Sequence, residues 1–257
     1  MNDGKENTMK IESAMTKKKV TINTHDKIVL YLLVRYNEYP MSRSVLRFVN
    51  ISKQFNSLRI LSKINLSIYQ GETVGITGPI GAGKSSLIYT ALGLIKPDSG
   101  YISFFSYPFD THRQKILQQI NFASSYLRLN GYSSVKENLL TFARLYQINN
   151  SLEKIETLAK TFDILYLLSS NRKVYKLSSG ENIKVNLCKA FLNNPKILFL
   201  DEITAHLDTR SISILHHYIS KQKAINNMTV VTVSQRINEL KKVCDRIVYM
   251  KHGSVYE

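Results

Sequence analysis

The chain has 257 residues, 44% of them hydrophobic and 21% charged, an ordinary balance for a soluble globular protein long enough to bury one α/β core. Its apolar runs are short, the clearest being residues 28–34, against the roughly 20 needed to cross a bilayer, so the chain is not expected to span a membrane by itself. Lys and Arg outnumber Asp and Glu by 35 to 19, a net charge of +16, but the charge is scattered as a Lys- and Asn-rich surface bias. No basic stripe with interleaved aromatics marks a nucleic-acid partner.

Residues 1–44 read as an extension ahead of the main domain. The acids Asp3, Glu6, Glu12 and Asp26 argue against an organellar transit peptide, and no long apolar core with a small-residue cleavage site marks a secretory signal. Residues 28–36 suit either a strand or a short helix. The β-branched and aromatic stretch 45–51 predicts a strand, 63–69 a second, and Gln70-Gly71 a turn. Phe55 lies between these strands, where an aromatic serves either as a stacking platform for a base or as a core residue at a strand end.

A buried strand over residues 73–77 leads into Gly78-Pro79-Ile80-Gly81-Ala82-Gly83-Lys84-Ser85-Ser86, and residues 85–92 start a helix. This strand, glycine loop and helix is the context required by a phosphate cradle of the form G-x-x-x-x-G-K-S/T. Backbone N–H groups turn inward around a polyphosphate, and the helix N-terminus adds partial positive charge. Lys84 would reach the β and γ phosphates of a nucleoside triphosphate, and the Ser85 hydroxyl would coordinate Mg2+.

A turn at 96–100 and strands at 101–105 and 119–123 follow, then a polar stretch at 124–134. Helical periodicity runs through 135–146, 152–162 and 164–168. With no good strand between roughly 125 and 195, this block reads as a helical subdomain inserted into an alternating β and α chain. Cys188 and Cys244 are far apart, with no C-x-x-C and no histidine at metal-ligand spacing, and read as buried, reduced thiols. His216 and His217 are adjacent on a predicted helix and cannot share one face.

The apolar strand 197–200 delivers Asp201 and Glu202 at its carboxyl end, where open α/β sheets bind ligands. Asp201 would hold Mg2+, directly or through water, and Glu202 would orient or deprotonate an attacking water. Strands at 230–233 and 246–250 and a turn at Gly253 complete the reading, which leaves no room for a further carboxyl-terminal domain.

Leu177-Ser178-Ser179-Gly180-Glu181 resembles the L-S-G-G-Q signature of the nucleotide-binding subunits of ATP-binding cassette (ABC) transporters, and it precedes Asp201 at that family's spacing. Ala205-His206-Leu207-Asp208 resembles the family's D-loop, with Asp208 at its acid. The resemblance covers the chain from Leu46 onward. It implies a P-loop NTPase (RecA-like) core with an antiparallel β subdomain and the inserted helical subdomain, together forming one nucleotide-binding domain over 45–257. It further implies that two cassettes, alike or different, pair head to tail, so that ATP held by Lys84 and Ser85 of one meets Ser178 and Gly180 of the other. Phe55 falls at the family's adenine-stacking aromatic. The implied function is Mg2+-dependent ATP hydrolysis at the cytoplasmic face of the cell membrane, driving a transmembrane permease on a separate chain.

Three positions depart from the family pattern. Ser125 stands at the Q-loop glutamine, Gln235 at the switch histidine, and Ile203 where proline is common after the acid pair. Gln235 can donate a neutral hydrogen bond to the γ-phosphate but cannot become cationic. These departures imply slow hydrolysis, or a binding-only regulatory partner in an asymmetric pair. Residues 121–126 and the L-S-S-G-E form of the signature are similar to a subgroup serving export-type permeases of the ABC-2 class, which tends to lack the glutamine. A soluble ABC ATPase acting on nucleic acid or the ribosome is a further reading, opposed by the single phosphate loop.

Overall fold

Strand β1 (Ser44–Phe55) buries Val45, Leu46, Phe48 and Ile51 and pairs antiparallel with β2 (Leu58–Tyr69). The computed structural model of the chain describes residues 44–256; the remaining extension, including the strand-or-helix stretch 28–36, lies outside the described residues. Both strands run further than their apolar stretches predict. Register carries the hairpin out to the pair Phe55 and Leu58, through largely exposed residues that show no alternation. Asp98 pins this tip, accepting from Lys53 Nζ at 2.7 Å and from the Gln54 N–H at 2.7 Å. With β4 (Ser99–Phe104) and β5 (Tyr107–Pro108) the hairpin forms a four-stranded antiparallel sheet, in the order β2-β1-β4-β5.

The second sheet is built on β3 (Thr73–Thr77), whose five residues are all buried. Strand β3 lies parallel between β9 (Arg246–Lys251) and β8 (Thr229–Val233), and parallel β7 (Ile197–Asp201) and β6 (Ile120–Ser124) continue the sheet. An antiparallel edge strand, β10 (Ser254–Tyr256), completes the order β10-β9-β3-β8-β7-β6. Parallel strands expose no face to water and need helices on both sides. The helices among the described residues are α1 (Lys84–Ala91), α2 (Phe109–Leu117), α3 (Val135–Leu145), α4 (Ser151–Thr161), α5 (Leu165–Ser169), α6 (Ser179–Phe191), α7 (Thr209–Asn226) and α8 (Ile237–Val243). Helix α2 escapes the sequence pattern because only Phe109 and Ile116 of it are buried, too few to set a period.

Among the described residues no strand lies between Ser124 and Ile197, as the periodicity predicts. Leu139 and Ala143 of α3, Ile155 and Leu158 of α4, Leu167 of α5 and Val185 of α6 bury into one cluster that continues onto Leu198 and Leu200 of β7. Ser134 and Glu137 start α3 with a reciprocal capping box at 3.1 and 2.6 Å. Cys188 is a buried free thiol, as predicted. Cys244 is also free but only half-buried, because it ends α8 beside Gly75 instead of sitting within a helix face.

Lys189, on α6, is a buried cation that donates to the Phe122 carbonyl, and burial lowers its pKa to about 8. The unfolded chain therefore binds more protons than the native one between that value and 10.5, so this group makes stability rise with pH across the window. Thermal melts from about pH 7 to about pH 10 should show wild type gaining stability relative to Lys189→Met as the pH rises, because the variant lacks this titration. Parallel profiles would contradict the assignment.

Candidate active site

The phosphate loop spans the gap between the carboxyl end of β3 and α1. Gly78, at φ +144°, faces the Met250 carbonyl where a Cβ would sit, and Gly83, at φ +99°, would bring a Cβ to 2.5 Å from the Ile60 carbonyl. The loop is thus clamped by β9 and by the β1–β2 hairpin in a conformation open to glycine alone. Gly253 ties the same pieces together, donating to the Ala82 carbonyl at 3.2 Å and accepting from the Ser62 N–H at 2.8 Å. Helix α1 begins with no side-chain cap and no acid in its first turn, which leaves its first N–H groups for an anion. Lys84 folds over the loop, donating to the carbonyls of Gly78 at 2.8 Å and Pro79 at 2.9 Å. Burial lowers its pKa, against the raising influence of Glu202 and Asp201.

Strand β7 ends in Asp201, which is fully buried and accepts from Ser85 Oγ at 3.1 Å and from the Tyr89 hydroxyl at 3.5 Å. Burial pushes its carboxyl up; the Ser85 hydrogen bond opposes this and the Glu202 charge reinforces it. Glu202 follows in the left-handed region at φ +53°, with its N–H donating to the Val233 carbonyl at 3.0 Å. Its Oε1 is buried without a hydrogen-bond partner among the described residues. Glu202 and Gln235 line one cleft of about 280 Å³ together with loop residues 80–86. Ser85 thus touches Asp201 directly, and Ser85 and Glu202 line the same cleft.

Ser125 does not line this cleft. Its N–H donates to the Asp201 carbonyl at 3.1 Å, its Oγ is buried without a partner among the described residues, and it lines a separate cavity of about 380 Å³ beside Leu177, Ser178 and Ser179. Its neighbour Tyr126 lines the phosphate cleft. Phe55 is 47% exposed at the end of β1, with Lys53 Nζ 5.1 Å from its ring centroid, which rules out the core reading. Ile60, not Phe55, forms the nearby cleft wall.

The signature starts α6. Ser178 caps the helix, its Oγ accepting from the Glu181 N–H at 3.2 Å while Glu181 Oε2 accepts from the Ser178 N–H at 2.7 Å. Glu181 also accepts from Arg172 at 2.9 Å and from the Tyr166 hydroxyl at 2.8 Å. Burial raises the Glu181 pKa, but these bonds outweigh it and hold the carboxyl below its ordinary value. A Cβ on Gly180 would meet nothing closer than the His206 carbonyl at 3.5 Å. Asp208 caps α7, accepting from the Ser211 N–H at 2.7 Å, and that bond lowers its pKa. Signature and phosphate loop line different cavities of the chain.

Tyr89 and Tyr126 are the site residues that no motif names. Tyr89 stands one helical turn after Ser85, a spacing that could have found it. No comparable signal marks Tyr126.

Residues 61–205 match the family model described as ABC transporter. The sulfate/thiosulfate import ATP-binding protein CysA of Pectobacterium atrosepticum is 32% identical over 210 residues, 80% of this chain and 63% of that protein. The Nod factor export ATP-binding protein I of Rhizobium etli is 26% identical over 221 residues, 85% of this chain and 69% of that protein. Among solved structures, the dimeric bacterial ABC transporter cassette MJ0796 superposes with a TM-score of 0.76 at 25% identity, covering 82% of this chain and 97% of that one. The family match runs from β2 across the phosphate loop and helical subdomain to just beyond Glu202, and the chain belongs to the ABC transporter family, as an ATP-binding cassette of the P-loop NTPase fold that hydrolyses ATP to power transport.

Proposed function

We propose that this cassette works in a head-to-tail pair at the cytoplasmic face of the membrane, coupled to a permease carried on a separate chain. The observation that carries the reading is the separation of the two half-sites: Lys84 and Ser85 line one cleft, while Ser178 and Ser179 line another cavity. A second cassette brings its signature to the first one's phosphate loop. No helix among the described residues is long and apolar enough to cross a membrane, and the spanning part is assigned to the permease. With Ser125 at the glutamine position, the cassette fits the export-type group.

The residues suit Mg2+, a hard cation that takes one or two protein oxygens plus substrate phosphates: Ser85 Oγ and Asp201 Oδ1 lie 3.1 Å apart, and Glu202 keeps an unpartnered oxygen nearby. Ser85 and Asp201 would hold the ion, which neutralises phosphate charge when bound. Lys84 pairs with the β and γ phosphates, Glu202 takes the proton of the attacking water, and Gln235 donates to the γ-phosphate. Phe55 stacks on the adenine.

Gln235 favours a second reading, in which hydrolysis is slow and the subunit acts beside a more competent partner. Steady-state Mg-ATP hydrolysis decides between them, with Glu202→Gln as the blank. Wild type is expected above the blank and Gln235→His about tenfold faster, since losing one good transition-state donor costs about a hundredfold or more and glutamine replaces part of it. Wild type at the blank level, with activity only in Gln235→His, selects the binding-only role. Equal rates in wild type and Gln235→His remove the weakened switch.

A further inference from the structure

Resting on that ATP-binding reading, we infer that the Tyr126 hydroxyl is the γ-phosphate contact on the β6 side of this cleft, in the place of the side chain that position 125 does not supply. The turn after β6 decides which side chain enters. Ser124 pairs in register with Asp201, and the Ser125 N–H donates to the Asp201 carbonyl at 3.1 Å, so residue 125 is fixed by its backbone to the end of the catalytic strand. The Leu127 N–H donates to the Ser124 carbonyl at 3.2 Å and the Tyr126 N–H to Ser124 Oγ at 3.1 Å, closing a tight turn. Consecutive residues of this turn line different cavities. Ser125 lines the signature-side cavity, and Tyr126 lines the phosphate cleft with Lys84, Ser85, Glu202 and Gln235.

Tyr126 is 69% exposed there, a large side chain held beside the cleft and not packed into the core. A serine at 125 is too short to cross to the phosphate loop, and its Oγ is buried. A phenol is long and rigid, and its hydroxyl both donates and accepts. It can donate to a γ-phosphate oxygen or hold the attacking water beside Glu202. ADP, which has no γ-phosphate, would gain nothing from it, so the contact discriminates between the two nucleotides.

The test compares wild type with Tyr126→Phe, which removes the hydroxyl and keeps the ring. Affinities for fluorescent ATP and ADP analogues are measured in the Glu202→Gln background, where turnover does not interfere, and ATP hydrolysis is measured in the Glu202 background. Tyr126→Phe is expected to lose about fivefold or more of the preference for ATP over ADP, and about tenfold in kcat, with thermal stability unchanged. The double variant Ser125→Gln/Tyr126→Phe should remain as slow as Tyr126→Phe, because residue 125 is fixed by its backbone bond to Asp201 beside the other cavity. An unchanged ATP-to-ADP ratio in Tyr126→Phe, or recovery of rate in the double variant, overturns the assignment. If wild type shows no hydrolysis above the Glu202→Gln blank, the hydrolytic reading fails by itself, and the nucleotide ratio still decides the role of Tyr126.

Discussion

Glu202→Gln is expected to lower steady-state ATP hydrolysis by about a hundredfold to ten-thousandfold, the range that a positioned general base contributes, while ATP still binds. The side chain sits where β7 delivers it, one residue past the buried Asp201, on a left-handed backbone fixed by the bond from its N–H to Val233. Glutamine has the same shape, so the loop and the Lys84 bonds are left intact. What changes is the proton chemistry: an amide cannot accept the proton of an attacking water. Stability should hold or rise slightly, because a carboxylate oxygen that is buried without a partner among the described residues gives way to a neutral group that costs less to bury. Phosphate release, nucleotide binding and a thermal melt on one preparation check all three statements. Wild-type turnover in the variant would mean that another group activates the water.

The parts of the site that follow from backbone periodicity were legible in the sequence. Strands β3 and β7 are runs buried on both faces, and their carboxyl ends put Gly78 and Asp201 at one edge of the sheet because the sheet is parallel. The meeting of Ser85 with Asp201 follows from that topology. Which residue of a turn lines the cleft does not follow: that Tyr126 and not Ser125 lines it goes with the bond from the Ser125 N–H to Asp201, a contact between residues far apart in the chain. The outer hairpin was hidden for a related reason. Its residues are exposed and carry no apolar alternation, and they are ordered by register with a partner strand and by Asp98. Phe55 shows the same limit, since an aromatic in an apolar-looking sequence can as well end on the surface as in the core.

Gly180→Asp should fold as well as wild type yet lose at least about a hundredfold of its ATP hydrolysis. Nothing among the described residues demands glycine here, because a Cβ would meet its nearest neighbour, the His206 carbonyl, at an ordinary 3.5 Å, and an acid near the start of α6 suits the helix dipole. The thermal melt should therefore be unchanged. On the proposed head-to-tail pairing the damage would arise between subunits, where the carboxylate would occupy the approach of the partner's γ-phosphate and repel it. On that pairing, Lys84→Ala would remove the other half of the same composite site. Each variant alone carries two damaged sites, whereas a mixed pair carries one site with both halves intact, the phosphate loop from the Gly180→Asp chain and the signature from the Lys84→Ala chain. Mixing the two inactive preparations in equal amounts should restore roughly a quarter of wild-type activity if the pair is a symmetric one of this chain with itself. No recovery, with both variants folded and Lys84→Ala still showing an intact signature by pairing with wild type, would mean that the signature of this chain does not serve the phosphate loop of a second copy, and that its partner is a different cassette.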